Sequence, residues 1–123
     1  FNVVPSLDTP VCNTQTRKFS EALTALGDKV AAFTVSLDLP FAQARWCTEA
    51  KVENIKNLSD VRDHSFGEHF GVLVHGLPIA LLARAVFVVD PSDTVKYVEI
   101  VSEIASEPDY EPALAALKEA AGV

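Results

Sequence analysis

The chain has 123 residues, ten Lys plus Arg against seventeen Asp plus Glu, a formal net charge of −7 and 49% hydrophobic residues. That size suits one domain with a compact radius of gyration of about 14 Å, and the composition is that of a folded protein with its own core. The acidic balance argues against nucleic-acid binding, which needs clustered Lys and Arg to displace counterions, and no basic run points to a membrane surface.

In chain order, Phe1 to Val4 reads as the end of a strand, and Pro5-Ser6-Leu7-Asp8-Thr9-Pro10 as a loop, because two prolines fix φ and withhold backbone donors. Phe19, Ala22, Leu23 and Leu26 recur at helical spacing, which predicts a helix over Val11–Leu26 with Gly27 as its stop. Val30–Leu37 reads as a buried strand. Asp38 is expected to cap a second helix that has Pro40 near its first position and runs through Trp46 and Cys47 to about Ala50. Ile55–Leu58 is a short strand, and Ser65–Phe70 a single helical turn ending at Gly71.

The longest apolar stretch, Leu77 to Val89, is broken by Arg84 and falls well short of the roughly 20 residues that cross a bilayer, so it is expected in the core. Ala85–Val89 and Thr94–Val101 form a hairpin across Asp90-Pro91-Ser92-Asp93. A last helix follows Glu107-Pro108-Asp109, with Pro112 tolerable only in its first turn. Alternating strands and helices predict an α/β fold with a mixed sheet flanked by helices. The absence of Met implies a processed or truncated chain; no signal peptide is visible at Phe1, and the expected location is cytoplasmic.

Two cysteines, Cys12 and Cys47, are too few for a disulfide scaffold and lack the paired spacing of a zinc site or dithiol loop. A cysteine attacks only as thiolate, and the unsatisfied N–H groups of a helix's first turn, where Cys12 falls, favour negative charge. Thr9, three residues upstream, offers a hydroxyl that can donate or accept. The plainer alternative is that Thr9 caps the helix and Cys12 is an inert small hydrophobe. Arg84 sits between Leu81-Leu82-Ala83 and Ala85-Val86-Phe87, where a permanent cation is costly to bury without an anion. The Cys12 thiolate is one candidate partner; Glu99 on the neighbouring strand, or solvent at a strand edge, is the other.

Cys47 follows Cys12 by 35 positions and can bridge to it only if the fold brings their Cα atoms within about 7 Å. Otherwise it is a packing residue beside Trp46. His64, His69 and His75 do not share a helical face and are given no role, and Asp60, Asp63 and Glu103 are expected to be solvated or capping groups.

The stretch Pro5-Ser6-Leu7-Asp8-Thr9-Pro10-Val11-Cys12 resembles the active-site loop of the peroxiredoxins. Ser36-Leu37-Asp38-Leu39-Pro40-Phe41-Ala42-Gln43 with Arg45-Trp46-Cys47, then Leu82-Ala83-Arg84-Ala85-Val86 and Glu107-Pro108-Asp109-Tyr110-Glu111, resemble the bacterial thiol peroxidases, the atypical two-cysteine branch. The resemblance implies a thioredoxin-like fold across residues 1–123 and reduction of hydrogen peroxide and organic hydroperoxides with no metal or organic cofactor. It would make Cys12 the peroxidatic cysteine, Thr9 and Arg84 its activating partners, Pro5 the residue shielding the sulfur, and Cys47 the resolving cysteine. It also implies a Cys12–Cys47 disulfide reduced by thioredoxin, a homodimer, and a further amino-terminal section with a hairpin and another strand. A peroxide-sensing relay protein and an inactive truncated domain are the alternatives.

Overall fold

The computed structural model describes residues 1–103 and 105–122. Five strands form a mixed sheet in the order β3-β2-β1-β6-β7: β1 (Asn2–Val3), β2 (Phe33–Ser36), β3 (Lys56–Ser59), β6 (Ala85–Val89) and β7 (Val95–Ile100). β1 and β3 both run parallel to β2, whereas β6 lies antiparallel to β1 and to β7. Parallel neighbours need crossovers, and the two helical segments α1 (Pro10–Leu23) and α2 (Pro40–Ala50) supply them. The short α3 (Ser65–His69), a two-stranded sheet of β4 (Leu73–Val74) and β5 (Leu81–Leu82), and the final helix α4 (Tyr110–Ala121) complete the order.

Side chains alternate across β6 as the pleat requires. Val86 joins Val4, Cys12, Phe19, Leu23, Trp46 and Ala113 in the core beneath α1, α2 and α4. Ala85 and Phe87 join Val3, Val35, Val72 and Leu82 on the opposite face, where Phe66 and Phe70 stack with ring centroids 4.1 Å apart. Gly67 of α3 is pressed against this second core: a Cβ there would lie 2.7 Å from a Leu82 methyl group and 3.1 Å from Leu73 Cβ. Asp60, although buried, caps α3 by accepting the Phe66 and Gly67 backbone N–H groups at 3.0 and 2.8 Å.

Four expectations are corrected. The first helix ends at Leu23; the chain tightens into a 3₁₀ segment over Thr24–Lys29, within which Gly27 takes φ 54°. Asp38 does not cap α2: Leu39 occupies that position with no side-chain cap, because the Asp38 carboxylate is used elsewhere. The stretch from Leu77 is not wholly core, since Leu77 and Ile79 are exposed and continuous burial begins near Leu82. The β4–β5 pair falls where the sequence offered no strand, because two-residue strands carry no period to read. Pro112 lies in the first turn of α4, and the hairpin turn is held by the Asp90 carboxylate, which accepts the Ser92 and Thr94 N–H groups at 2.9 Å each.

Candidate active site

Cys12 is the third residue of α1 and has no exposed surface. Thr9 is the N-cap residue, with extended backbone, but its side chain caps nothing. Its hydroxyl instead donates to the Ser6 carbonyl at 2.9 Å, closing the loop on itself and leaving the oxygen's lone pairs to accept. Pro5 is buried at the entrance of that loop, directly after Val4, whose N–H pairs with the Val35 carbonyl.

Arg84 stands at the junction where the chain leaves the small sheet and enters β6. It is only 2% exposed, and its Nη1 donates to Cys12 Sγ at 3.0 Å and to Gln15 Oε1 at 2.9 Å. Glu99, the other candidate partner from sequence, accepts the Asp109 backbone N–H at 2.8 Å. Gln15, one turn below Cys12 on α1, passes the arrangement on: its amide N–H donates to Asn2 Oδ1, and Asn2 Nδ2 donates to Thr16 Oγ1 and Thr34 Oγ1 at 3.0 and 3.1 Å. Every member of this chain is buried and hydrogen-bonded, so the guanidinium is held by a satisfied polar network between α1 and the sheet. A cation fixed against a sulfur is placed to meet negative charge that develops there during a reaction. Gln15 and Asn2 were not foreseen; polar residues falling on the inward faces of α1 and β1 are the signal that could have found them.

Asp38, expected as a helix cap, serves the site instead. Its Oδ1 accepts the Ser6 hydroxyl at 2.7 Å, and its Oδ2 accepts the Leu7 N–H and the Ser36 hydroxyl at 2.8 Å each. The carboxylate therefore ties the Pro5–Pro10 loop to the end of β2, immediately before the helix that carries Cys47. A cleft of about 100 Å³ lies between this loop and α2, lined by Leu7, Asp8, Asp38, Arg45 and Trp46 among others.

Cys47 lies in the last turn of α2, half-buried against the core that contains Cys12 and Trp46. Both cysteines are free thiols. Asn57 on β3 donates from Nδ2 to Cys47 Sγ at 2.6 Å. Burial pushes the Cys47 thiol above its ordinary value of 9.0, with the Asn57 bond acting in the opposite direction. The helix closes on Lys51 in the left-handed region at φ 57°. His64, His69 and His75 lie apart from this site, at the start and end of α3 and in the following loop, and the described residues hold no cluster of three metal-ligating side chains.

Glu107 and Tyr110 brace the far side of α1. The Tyr110 hydroxyl donates to Glu107 at 2.8 Å, Lys18 pairs with Glu107 at 3.2 Å, and the Tyr110 ring meets Phe19 edge-on at 5.1 Å.

Comparison with known proteins agrees with this geometry. The Redoxin family model matches residues 1–114. A thiol peroxidase of Halalkalibacterium halodurans is 56% identical over 98% of the chain and 70% of its own length; one from Bacillus subtilis is 51% identical over 96% and 69%. Among solved structures, a peroxiredoxin-like protein from Aquifex aeolicus superposes with a TM-score of 0.90 at 42% identity, over 97% of this chain and 69% of that one. The chain, with its mixed sheet, its helix-borne cysteine and the arginine against it, belongs to the Redoxin family and within it to the thiol peroxidases.

Proposed function

We propose that the chain is a two-cysteine peroxidase that reduces hydrogen peroxide and organic hydroperoxides, with Cys12 as the peroxidatic and Cys47 as the resolving residue. The observation that carries the reading is the buried Arg84 guanidinium 3.0 Å from the Cys12 sulfur. A buried arginine aimed at a lone cysteine at a helix start is costly as packing and useful as charge stabilisation.

In this scheme the Cys12 thiolate attacks one peroxide oxygen. The S–O bond forms, the O–O bond breaks, and the displaced hydroxide or alkoxide takes up a proton and leaves as water or alcohol. Arg84 stabilises the charge that moves from sulfur to the leaving oxygen. Thr9, whose own hydrogen is committed to the Ser6 carbonyl, presents its oxygen as acceptor for the hydroperoxide O–H and so orients it. Cys12 has no exposed surface, and buried Pro5 at the loop entrance helps keep bulk water from the sulfur between turnovers.

The Cys47 thiolate then attacks the Cys12 sulfenic sulfur. The S–S bond forms, the S–O bond breaks, and hydroxide leaves as water after protonation, so the enzyme's sulfurs supply both electrons and no metal or organic cofactor takes part. Cys47 lies in a helical turn, so that turn must unwind for the sulfurs to meet. An external dithiol, thioredoxin, restores both thiols by exchange. A homodimer and a cytoplasmic location go with the family reading, and no described helix is long and apolar enough to cross a membrane.

The test is a coupled assay following peroxide-dependent oxidation of reduced thioredoxin. Activity is expected to vanish in Cys12→Ser, and activity that survives this substitution would sink the proposal.

A further inference from the structure

Asn57 occupies a strand position that its residue type does not favour. β3 is the edge of the five-stranded sheet, and asparagine is depleted in strands because its side chain competes for backbone groups. In place of a β-branched residue, the chain presents an amide whose Nδ2 lies 2.6 Å from Cys47 Sγ, with the Gln43 carbonyl at 3.5 Å. Gln43 itself joins α2 to β3 by donating to the Leu58 carbonyl at 3.0 Å, so the amide meets the sulfur from a strand already fastened to the helix.

Resting on the reading of Cys47 as the resolving thiol, we propose that Asn57 is its positioning residue: the amide seats the reduced sulfur on α2 and stabilises the negative charge it must carry to attack. No charge on either element takes that part. Arg45 and Glu49 on α2, Lys51 just past its end and Lys56 on β3 are all exposed, and burial, which penalises the thiolate, is opposed only by the Asn57 bond. A neutral donor also releases its partner more readily than an ion pair would, as the step requires, since Cys47 must leave Asn57 to reach Cys12.

The experiment follows iodoacetamide alkylation of Cys47 against pH in a Cys12→Ser background, with Asn57 intact, as Asn57→Leu, and as Asn57→Asp. Removal of the donor in Asn57→Leu is expected to move the alkylation midpoint upward and to slow the reaction at neutral pH by about threefold to tenfold, the worth of one such hydrogen bond. Asn57→Asp keeps the shape but sets a negative charge against the sulfur, and its midpoint should lie higher still. Coincident midpoints in all three proteins would overturn the assignment, because packing alone does not order the variants by charge. Asn57→Asp carries the test if Asn57→Leu does not fold, and failure of both to fold would also overturn it by making the residue structural. Peptide mapping of the peroxide-treated, unsubstituted chain runs in parallel. If no Cys12–Cys47 bond forms, it is the resolving role of Cys47 that fails; if the bond forms while the midpoints coincide, only the role of Asn57 does.

Discussion

Arg84 Nη1 and Cys12 Sγ meet at 3.0 Å across 72 positions of chain, in a site where neither residue has appreciable contact with solvent. The same Nη1 reaches Gln15, so a guanidinium that would be costly to bury alone is held in one orientation by α1.

Arg84→Lys should therefore cost more than a conserved charge suggests. A lysine offers a point charge on a flexible, shorter stem without the rigid guanidinium plane that holds Nη1 in place, so kcat/KM for hydrogen peroxide is expected to fall about 100-fold, the order lost when one fixed donor to developing charge is removed. Steady-state rates at several peroxide concentrations check this, and an unchanged kcat/KM would remove Arg84 from the mechanism.

Asp38 fixes the loop that carries Thr9. Asp38→Ala leaves the Leu7 N–H and two serine hydroxyls without their acceptor, which should lower stability by about 1–3 kcal/mol in urea unfolding. With Ser6 released, the carbonyl that orients the Thr9 hydroxyl drifts, and the peroxide rate should drop about tenfold even in the folded population.

Gly67 is needed for space. In Gly67→Ala the new methyl group meets a Leu82 methyl at 2.7 Å and Leu73 Cβ at 3.1 Å, so the buried Leu82 side chain must turn aside and the α3–β4 contact give by a few tenths of an ångström. Overpacking of this kind costs about 1–3 kcal/mol, readable as a lowered melting temperature with little change in the chemistry at Cys12, which lies in the other core.

Glu107 gives the fold an acid-sensitive contact. The Tyr110 hydroxyl, and after it Lys18, hold its carboxyl below the ordinary value of 4.5. A carboxyl whose folded value is depressed stabilises the fold above its unfolded value, and that contribution disappears as pH falls through the folded one. Glu107→Gln should therefore lose a small amount of stability near neutrality and converge with the parent as pH falls below 4.5 and through the lowered folded value, as measured by urea midpoints across pH. Equal differences at all pH values would contradict the linkage.

The parts of this architecture that could be read in advance are those with a period or a punctuating residue. Phe19, Leu23 and the prolines announced α1 and α2, and the Asp90–Asp93 turn announced the final hairpin, because helical spacing and turn chemistry are local. Cys12, Thr9 and Arg84 could be singled out from chemistry alone, since a cysteine at a helix start and a charge inside an apolar run are each anomalous. Their juxtaposition could not, because it depends on β1 pairing with β6 and laying Arg84 beneath α1. Asp38 misled for a related reason: a carboxylate two residues before a helix proline looks like a cap, yet the loop thirty residues upstream offers it two donors and Ser36 a third, and together they outcompete the helix end. Gln15 and Asn2 betray themselves only as polar residues on faces that should point inward, and their partners, like that of Asn57, come from other elements, so the sequence does not say what they bond.

The central claim is that Cys12 and Cys47 act in one cycle. The most direct measurement adds one equivalent of hydrogen peroxide to the reduced chain, then counts free thiols and maps the disulfide peptide by mass spectrometry. The account predicts loss of both thiols, a peptide joining Cys12 to Cys47, and a change in the fluorescence of Trp46, the residue beside Cys47. Two thiols remaining with peroxide unconsumed would contradict it.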